Sequence, residues 1–173
     1  MHIDKTLFTA EELAAKTAEL GKLISEDYKD EEILMVCTLR GAIVFFADLI
    51  RQISSPCQID FITASSYGDA TISSGKLNIK KDLETDIEGK HIIIVEDIVD
   101  SGITLSALKK MLLARNPKSL KICAMLSKPS RRVCPVDIDY CGFEIPDEFV
   151  IGYGLDYAQN YRQLPYIGTL AED

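Results

Sequence analysis

Histidine is almost absent from this chain. His2 and His91 are its only two, so a histidine-based triad or metal centre has almost no material, and His91, at the mouth of an apolar run, reads as structural. No stretch approaches the roughly 18 to 20 apolar residues needed to cross a bilayer, so no membrane partner is expected. The opening MHIDKTLFTAEEL lacks a basic start followed by an apolar core; no secretory signal is expected, and the cytoplasm is the expected compartment. The five cysteines, Cys37, Cys57, Cys123, Cys134 and Cys141, form no CxxC pair and are odd in number. That points away from a disulfide framework or a zinc site and towards buried reduced thiols. Basic residues are the minority, 19 against 27 acidic, for a net charge of −8, so the average field repels polyanions and no nucleic-acid partner is expected. A small phosphate ligand survives that test, because a bound divalent cation and a few local donors outweigh a global charge. Internal repeats, low-complexity tracts and linkers are also missing. The GYG at residues 152–154 has no third glycine and makes no dinucleotide fingerprint.

What is present is enough chain for one domain, residues 1–173, with a real core, and one stretch of concentrated chemistry, HIIIVEDIVDSGITL from His91 to Leu105. Ile92, Ile93, Ile94 and Val95 have the β-branched continuity of a parallel strand covered on both faces, and the run changes abruptly to Glu96 and Asp97. Asp100 follows, then Ser101, Gly102 and Thr104, small hydroxyl and glycine residues that let backbone amides gather round an anion at a helix start.

The remaining pattern alternates strands and helices. Thr9 and Glu12 make a capping box ahead of Leu13, Leu20, Leu23 and Ile24, predicting a helix over about 10–27. ILMVCT (33–38) reads as a strand, LRGA as a tight turn and IVFFADLIRQI (43–53) as a helix. Arg40 and Gly41 thus sit at a strand's carboxyl end, where open α/β sheets bind ligands; a solvent-facing turn is the equal alternative. Gln58–Thr63 is a third strand, and the polar stretch after it, to Gly89, reads as a mobile loop, a lid or a weak hairpin. A helix over 104–115 stops at Asn116-Pro117, and LKICAML (120–126) is the next strand. It ends near Lys128, and a lone lysine there is ordinarily a solvated charge. The expected class is α/β: a central, mostly parallel sheet with helices on both faces. A small cap would come from the N-terminal region and about 140–173.

With these residues in place, the chain resembles the type I phosphoribosyltransferases that act on hypoxanthine and guanine. IIIVEDIVDSGIT follows the family's diphosphate-sugar signature, and LRG, SSYG, SK and FVIGYGLDYAQNYRQLPYIG occur in the family's order. The resemblance implies purine salvage: transfer of a phosphoribosyl group from phosphoribosyl diphosphate to a 6-oxopurine, with Mg²⁺ as cofactor, in a homodimer or homotetramer to which the apolar helix at 43–53 would supply contact surface. It gives Ser101, Gly102, Ile103 and Thr104 to the 5′-phosphate, and Glu96 and Asp97 to the ribose hydroxyls and one Mg²⁺. Leu39, Arg40 and Gly41, often with a cis peptide between the first two, and Arg162 go to the pyrophosphate, and Asp156 to a second Mg²⁺. Asp100 handles the purine proton, Lys128 meets the 6-oxo group, Phe149 stacks on the ring and Val150 reads its edge. Ser66, Tyr67 and Gly68 open a lid over about 66–88. Ser101 and Arg40 stand where many relatives carry Thr and Lys, and both changes keep the needed chemistry. Rival readings are an enzyme for another base, xanthine included, and an RNA-binding regulator of the same fold. Asp100 with Lys128 argues against an adenine or orotate enzyme, and Asp100 with the net charge of −8 argues against the regulator.

Overall fold

The computed structural model describes residues 2–66 and 77–171. Six strands form its central sheet: β2 (Ile33–Thr38), β3 (Cys57–Ser66), β4 (Leu77–Lys81), β5 (His91–Val99), β6 (Ser119–Ser127) and β7 (Tyr140–Glu144). Their order is β4-β3-β2-β5-β6-β7, with every pair parallel except the β3–β4 hairpin at one edge. β5 lies between β2 and β6, which explains its unbroken apolar run. Alternation along the strands sorts the core into two layers. Ile33, Met35, Cys37, Ile93 and Val95 pack with α1 (Ala10–Asp27) and α2 (Ile43–Ile50), whereas Leu34, Val36, Ile92 and Ile94 pack with α3 (Ile103–Leu113). Helices therefore cover both faces, as expected.

The capping box at Thr9 is closed from both sides, Thr9 N–H donating to Glu12 at 2.8 Å and Glu12 N–H to Thr9 Oγ1 at 3.2 Å. Such a cap contributes about 1 kcal/mol, whereas each of the fully buried Leu13, Leu20 and Ile24 contributes about 1.5–3 kcal/mol. The cap sets where α1 begins, and packing holds it. Leu23 lies outside that seam, 44% exposed, because it sits about 100° round the helix from Ile24. α2 closes at Ile50 rather than Ile53, and its Phe45, Phe46 and Leu49 are spent on the chain's own core. The thiols divide: Cys37 and Cys123 are buried, but Cys57, at the sheet's rim, is exposed.

The terminal segments pair in a second, antiparallel sheet, β1 (His2–Phe8), β9 (Ile167–Ala171) and β8 (Val150–Ile151), in the order β1-β9-β8. The sequence reading did not assign β1 as a strand. Two register shifts, between Ile3 and Lys5 and between Thr6 and Phe8, break the alternation that would have marked it. The stretch after β3 builds a hairpin strand and then a turn anchored on the buried Asp60, whose carboxylate accepts the amides of Phe61, Glu84 and Thr85 at 2.7–2.9 Å. Tyr67, Gly68 and the rest of residues 67–76 lie outside the described residues. Among the described residues no helix is long and apolar enough to cross a membrane.

Candidate active site

The carboxyl end of β5 carries the acids. β5 runs on through them to Val99 instead of ending at Val95, so Glu96 and Asp97 project from the sheet itself. The Thr38 hydroxyl lies 2.7 Å from Glu96 Oε2 and 2.9 Å from the Val95 carbonyl oxygen. Asp97 Oδ1 accepts the Ile98 amide at 2.8 Å. Withdrawal from water, and then the neighbouring charge of Asp97, pushes the Glu96 carboxyl well above its usual range despite the Thr38 contact. Burial likewise raises Asp97, against the opposing pull of the Ile98 amide and Arg162. Two carboxylates pushed upward beside each other are short of positive charge.

The turn after β2 meets this pair. Its Leu39–Arg40 peptide is cis. A Cβ at Gly41 would sit 1.7 Å from Asp97 Oδ2, so any side chain there would displace the acid from its present position. The C-terminal loop closes from the other side: Gly154, at φ +100, would bring a Cβ within 2.1 Å of the Gly41 carbonyl oxygen. The GYG is thus a packing device that seats one loop on another. Arg162 donates to the Gly154 carbonyl at 2.7 Å and pairs with Asp156 at 2.8 Å. Gln159 Oε1 accepts from both Arg40 and Arg162 at 3.2 Å, joining two cations across the loops.

Beyond the acids, the chain enters α3 through Gly102 at φ +78, where a Cβ would lie 2.7 Å from the Cys134 carbonyl oxygen. Gly102 caps α3 without a side-chain bond, which leaves first-turn amides that have no intrahelical partner. Ser101 Oγ accepts from the Ile103 amide at 3.4 Å, and Thr104 Oγ1 lies 3.2 Å from Ser66 Oγ across the mouth. One cavity brings together Thr38, Gly41, Glu96, Asp97, Ser101 and Thr104.

An adjoining cavity brings Asp100, Lys128, Phe149, Val150 and Asp156 together. Lys128 is not the solvated charge expected of a lone lysine: its side chain is 9% exposed, and among the described residues its nearest carboxylate, Asp147, is 3.8 Å away. Phe149 is the opposite case, an aromatic ring 54% exposed, edge-on to Tyr157 at 5.7 Å between centroids. Val150 is buried and paired with Thr169 of β9.

A family model for the phosphoribosyl transferase domain matches residues 5–158. The chain belongs to the phosphoribosyltransferase family. Among relatives of this family, a hypoxanthine phosphoribosyltransferase of Salmonella typhimurium is 51% identical over 171 residues, covering 98% of this chain and 96% of its own. A hypoxanthine-guanine phosphoribosyltransferase of Bacillus subtilis is 49% identical over 168 residues, covering 97% and 93%. The crystal structure of a hypoxanthine-guanine phosphoribosyltransferase of Bacillus anthracis superposes with a TM-score of 0.95 at 47% identity, covering 98% of this chain and 100% of that one. The α/β architecture is accordingly the type I phosphoribosyltransferase fold.

Within that family frame, the site also contains residues that sequence reasoning missed. Arg131, Asp147, Tyr157 and Gln159 all line or brace the two cavities. Arg131 and Asp147 carried no local signal, since a charge in a loop reads as solvated. For Gln159, the density of polar and aromatic residues around Asp156 and Arg162 was the only hint.

Proposed function

We propose that this protein moves the 5-phosphoribosyl group from phosphoribosyl diphosphate to hypoxanthine, and to guanine, forming the nucleotide and pyrophosphate. Lys128 carries the reading. Its side chain is nine-tenths buried, among the described residues its ammonium reaches no carboxylate closer than 3.8 Å, and it lines a cavity where a ligand oxygen can accept from it. A 6-oxopurine supplies one, whereas the amino group of adenine does not. Asp100 faces the same cavity and takes the proton of the ring nitrogen, which increases the nucleophilicity of the base. Phe149 offers its exposed ring for stacking, and the backbone of Val150, fixed by β9, reads the edge of the base.

In the neighbouring cavity the first-turn amides of α3, with Ser101 and Thr104, hold the 5′-phosphate. Glu96 and Asp97 face the ribose hydroxyls, and Leu39, Arg40, Gly41 and Arg162 meet the departing pyrophosphate. The donor set fits Mg²⁺: all carboxylate oxygens, with Glu96 and Asp97 raised for want of positive charge and Asp156 close enough to raise Asp97 further. Among the described residues no three His, Cys, Asp or Glu side chains converge to hold a metal alone, and substrate oxygens and water would supply the other ligands. Glu96 and Asp97 would hold one ion and Asp156 a second; bound there, Mg²⁺ neutralises charge on the leaving group. Ser66 lies at the mouth and begins the lid of this reading. The compartment is the cytoplasm and the assembly a homodimer or homotetramer, the exposed thiol of Cys57 suiting a reducing environment.

The test is a competition among hypoxanthine, guanine and xanthine, with Mg²⁺ and phosphoribosyl diphosphate, following nucleotide formation and pyrophosphate release. Turnover with hypoxanthine is expected. No release with any of the three overturns the proposal.

A further inference from the structure

Side chains of alternating charge border the base cavity in one chain of contacts. Arg131 Nε donates to Asp100 Oδ1 at 2.9 Å, Arg131 Nη1 lies 3.4 Å from Asp147 Oδ2, and Asp147 Oδ1 lies 3.8 Å from Lys128 Nζ. Arg131 and Asp147 are about half exposed, at 50% and 53%, and ion pairs of that kind contribute only about 0–1 kcal/mol to stability. Their arrangement therefore needs a reason other than holding the fold together.

The neighbouring arginine supplies one. Arg132 donates to the carbonyl oxygens of Asp100 and Val99 at 3.1 and 3.3 Å and to Ser127 Oγ at 2.9 Å. Two consecutive arginines, projecting from the single 3-10 turn at Pro129–Arg131 and its end, thus grip Asp100 twice: Arg132 its backbone, Arg131 its side chain. The Asp100 side chain is 43% exposed and would otherwise rotate freely at the cavity mouth. Arg131 occupies Oδ1, and among the described residues no donor reaches Oδ2, so one oxygen is anchored and the other is left for a ligand of the cavity that Asp100 lines. The guanidinium is a planar fork, and splitting it between Asp100 and Asp147 fixes the two acids relative to each other, which a lysine does not do.

We propose that Arg131, steadied by Asp147, is a positioning residue that aims Asp100 at the purine. This inference rests on the reading of Asp100 as the group that takes the purine proton. Because Arg131 acts through Asp100, its effect disappears when Asp100 is absent.

The experiment is a double-mutant cycle in steady-state kinetics on the full chain with Mg²⁺, using Arg131→Ala, Asp100→Ala and the pair, plus Arg131→Lys. Arg131→Ala is expected to lower kcat about tenfold, a modest misaiming loss, with the KM for phosphoribosyl diphosphate changed less than about twofold. Arg131→Lys, which keeps charge but not the fork, falls between that variant and the wild type. In the Asp100→Ala background, Arg131→Ala has no further effect on kcat. If Asp100→Ala lowers kcat while Arg131→Ala leaves it unchanged, raises it, or multiplies the Asp100→Ala loss, the positioning role is overturned on its own. If Asp100→Ala leaves kcat unchanged, the underlying reading of Asp100 is what fails.

Discussion

The two ends of the central sheet carry opposite electrostatics. At the amino ends of the strands several charges are paired with one another. Asp27 accepts from the Tyr140 hydroxyl and from Lys121, Lys118 reaches both oxygens of Glu31 at 3.2 Å, and His91 shares a hydrogen bond with Ser119 at 2.6 Å. The Tyr140 and Lys121 contacts hold the Asp27 carboxyl below the usual carboxylate range. At the carboxyl ends, Glu96 and Asp97 are pushed the other way, both by withdrawal from water, Glu96 further by Asp97 and Asp97 further by Asp156. One strand, β5, begins at His91, bonded to Ser119, and ends at the two raised acids. The first end pairs acids with bases, whereas the second gathers acids away from water.

That contrast breaks if residues at the two ends respond alike to substitution. The largest expected effect is at the carboxyl end: Asp100→Ala lowers kcat by about 10²-fold or more, as for a lost general base, with a melting temperature close to wild type. Unchanged turnover removes Asp100 from the chemistry. Next is Lys128→Ala. Losing a charge-assisted hydrogen bond of about 1.5–3 kcal/mol raises the KM for hypoxanthine roughly tenfold or more, with little change in the KM for phosphoribosyl diphosphate. A larger effect on the sugar substrate would move Lys128 out of the base site.

Glu96→Gln sharpens the comparison by separating function from stability. Removing one of two adjacent, poorly solvated carboxylates costs turnover yet stabilises the fold in chelator-treated buffer by about 1 kcal/mol, or about 2–4 °C in melting temperature for a chain of this size. A lower melting temperature would mean the pair is already neutralised without ligand. The smallest effects are at the amino end. Lys121→Met leaves kcat unchanged and destabilises by no more than about 1 kcal/mol, since Asp27 and Lys121 are partly exposed. Asp27, whose folded carboxyl is held low, contributes stability that is present above its unfolded value near 3.8 and is lost as pH falls through the lower folded value. Asp27→Asn therefore melts below wild type at neutral pH, and the gap closes in acid melts below about pH 4.

Much of the fold was legible because it rests on local rules. The capping box at Thr9, the apolar run of β5 and the stop at Asn116-Pro117 each mark an element within a few residues of its own chain. The acids after β5 and the Ser101–Thr104 turn stood out for the same reason, since the polar residues of one loop are adjacent in the chain. Arg131 and Asp147 did not, and Lys128 was reached only through the family resemblance, because a charge in a loop reads as solvated until the rest of the chain is folded around it. β1 was hidden by two bulges, and the GYG looked like a failed ligand motif because its partner, Gly41, lies far away in sequence.

By itself, then, the sequence determined the kinds of chemistry present and the elements that carry them, because strand period, helix caps and turn residues act over short range. Tertiary structure decided the environment of each charge. Whether a carboxylate is lowered, like Asp27, or raised, like Glu96, depends on which distant groups surround it and how much water remains, and only packing sets either.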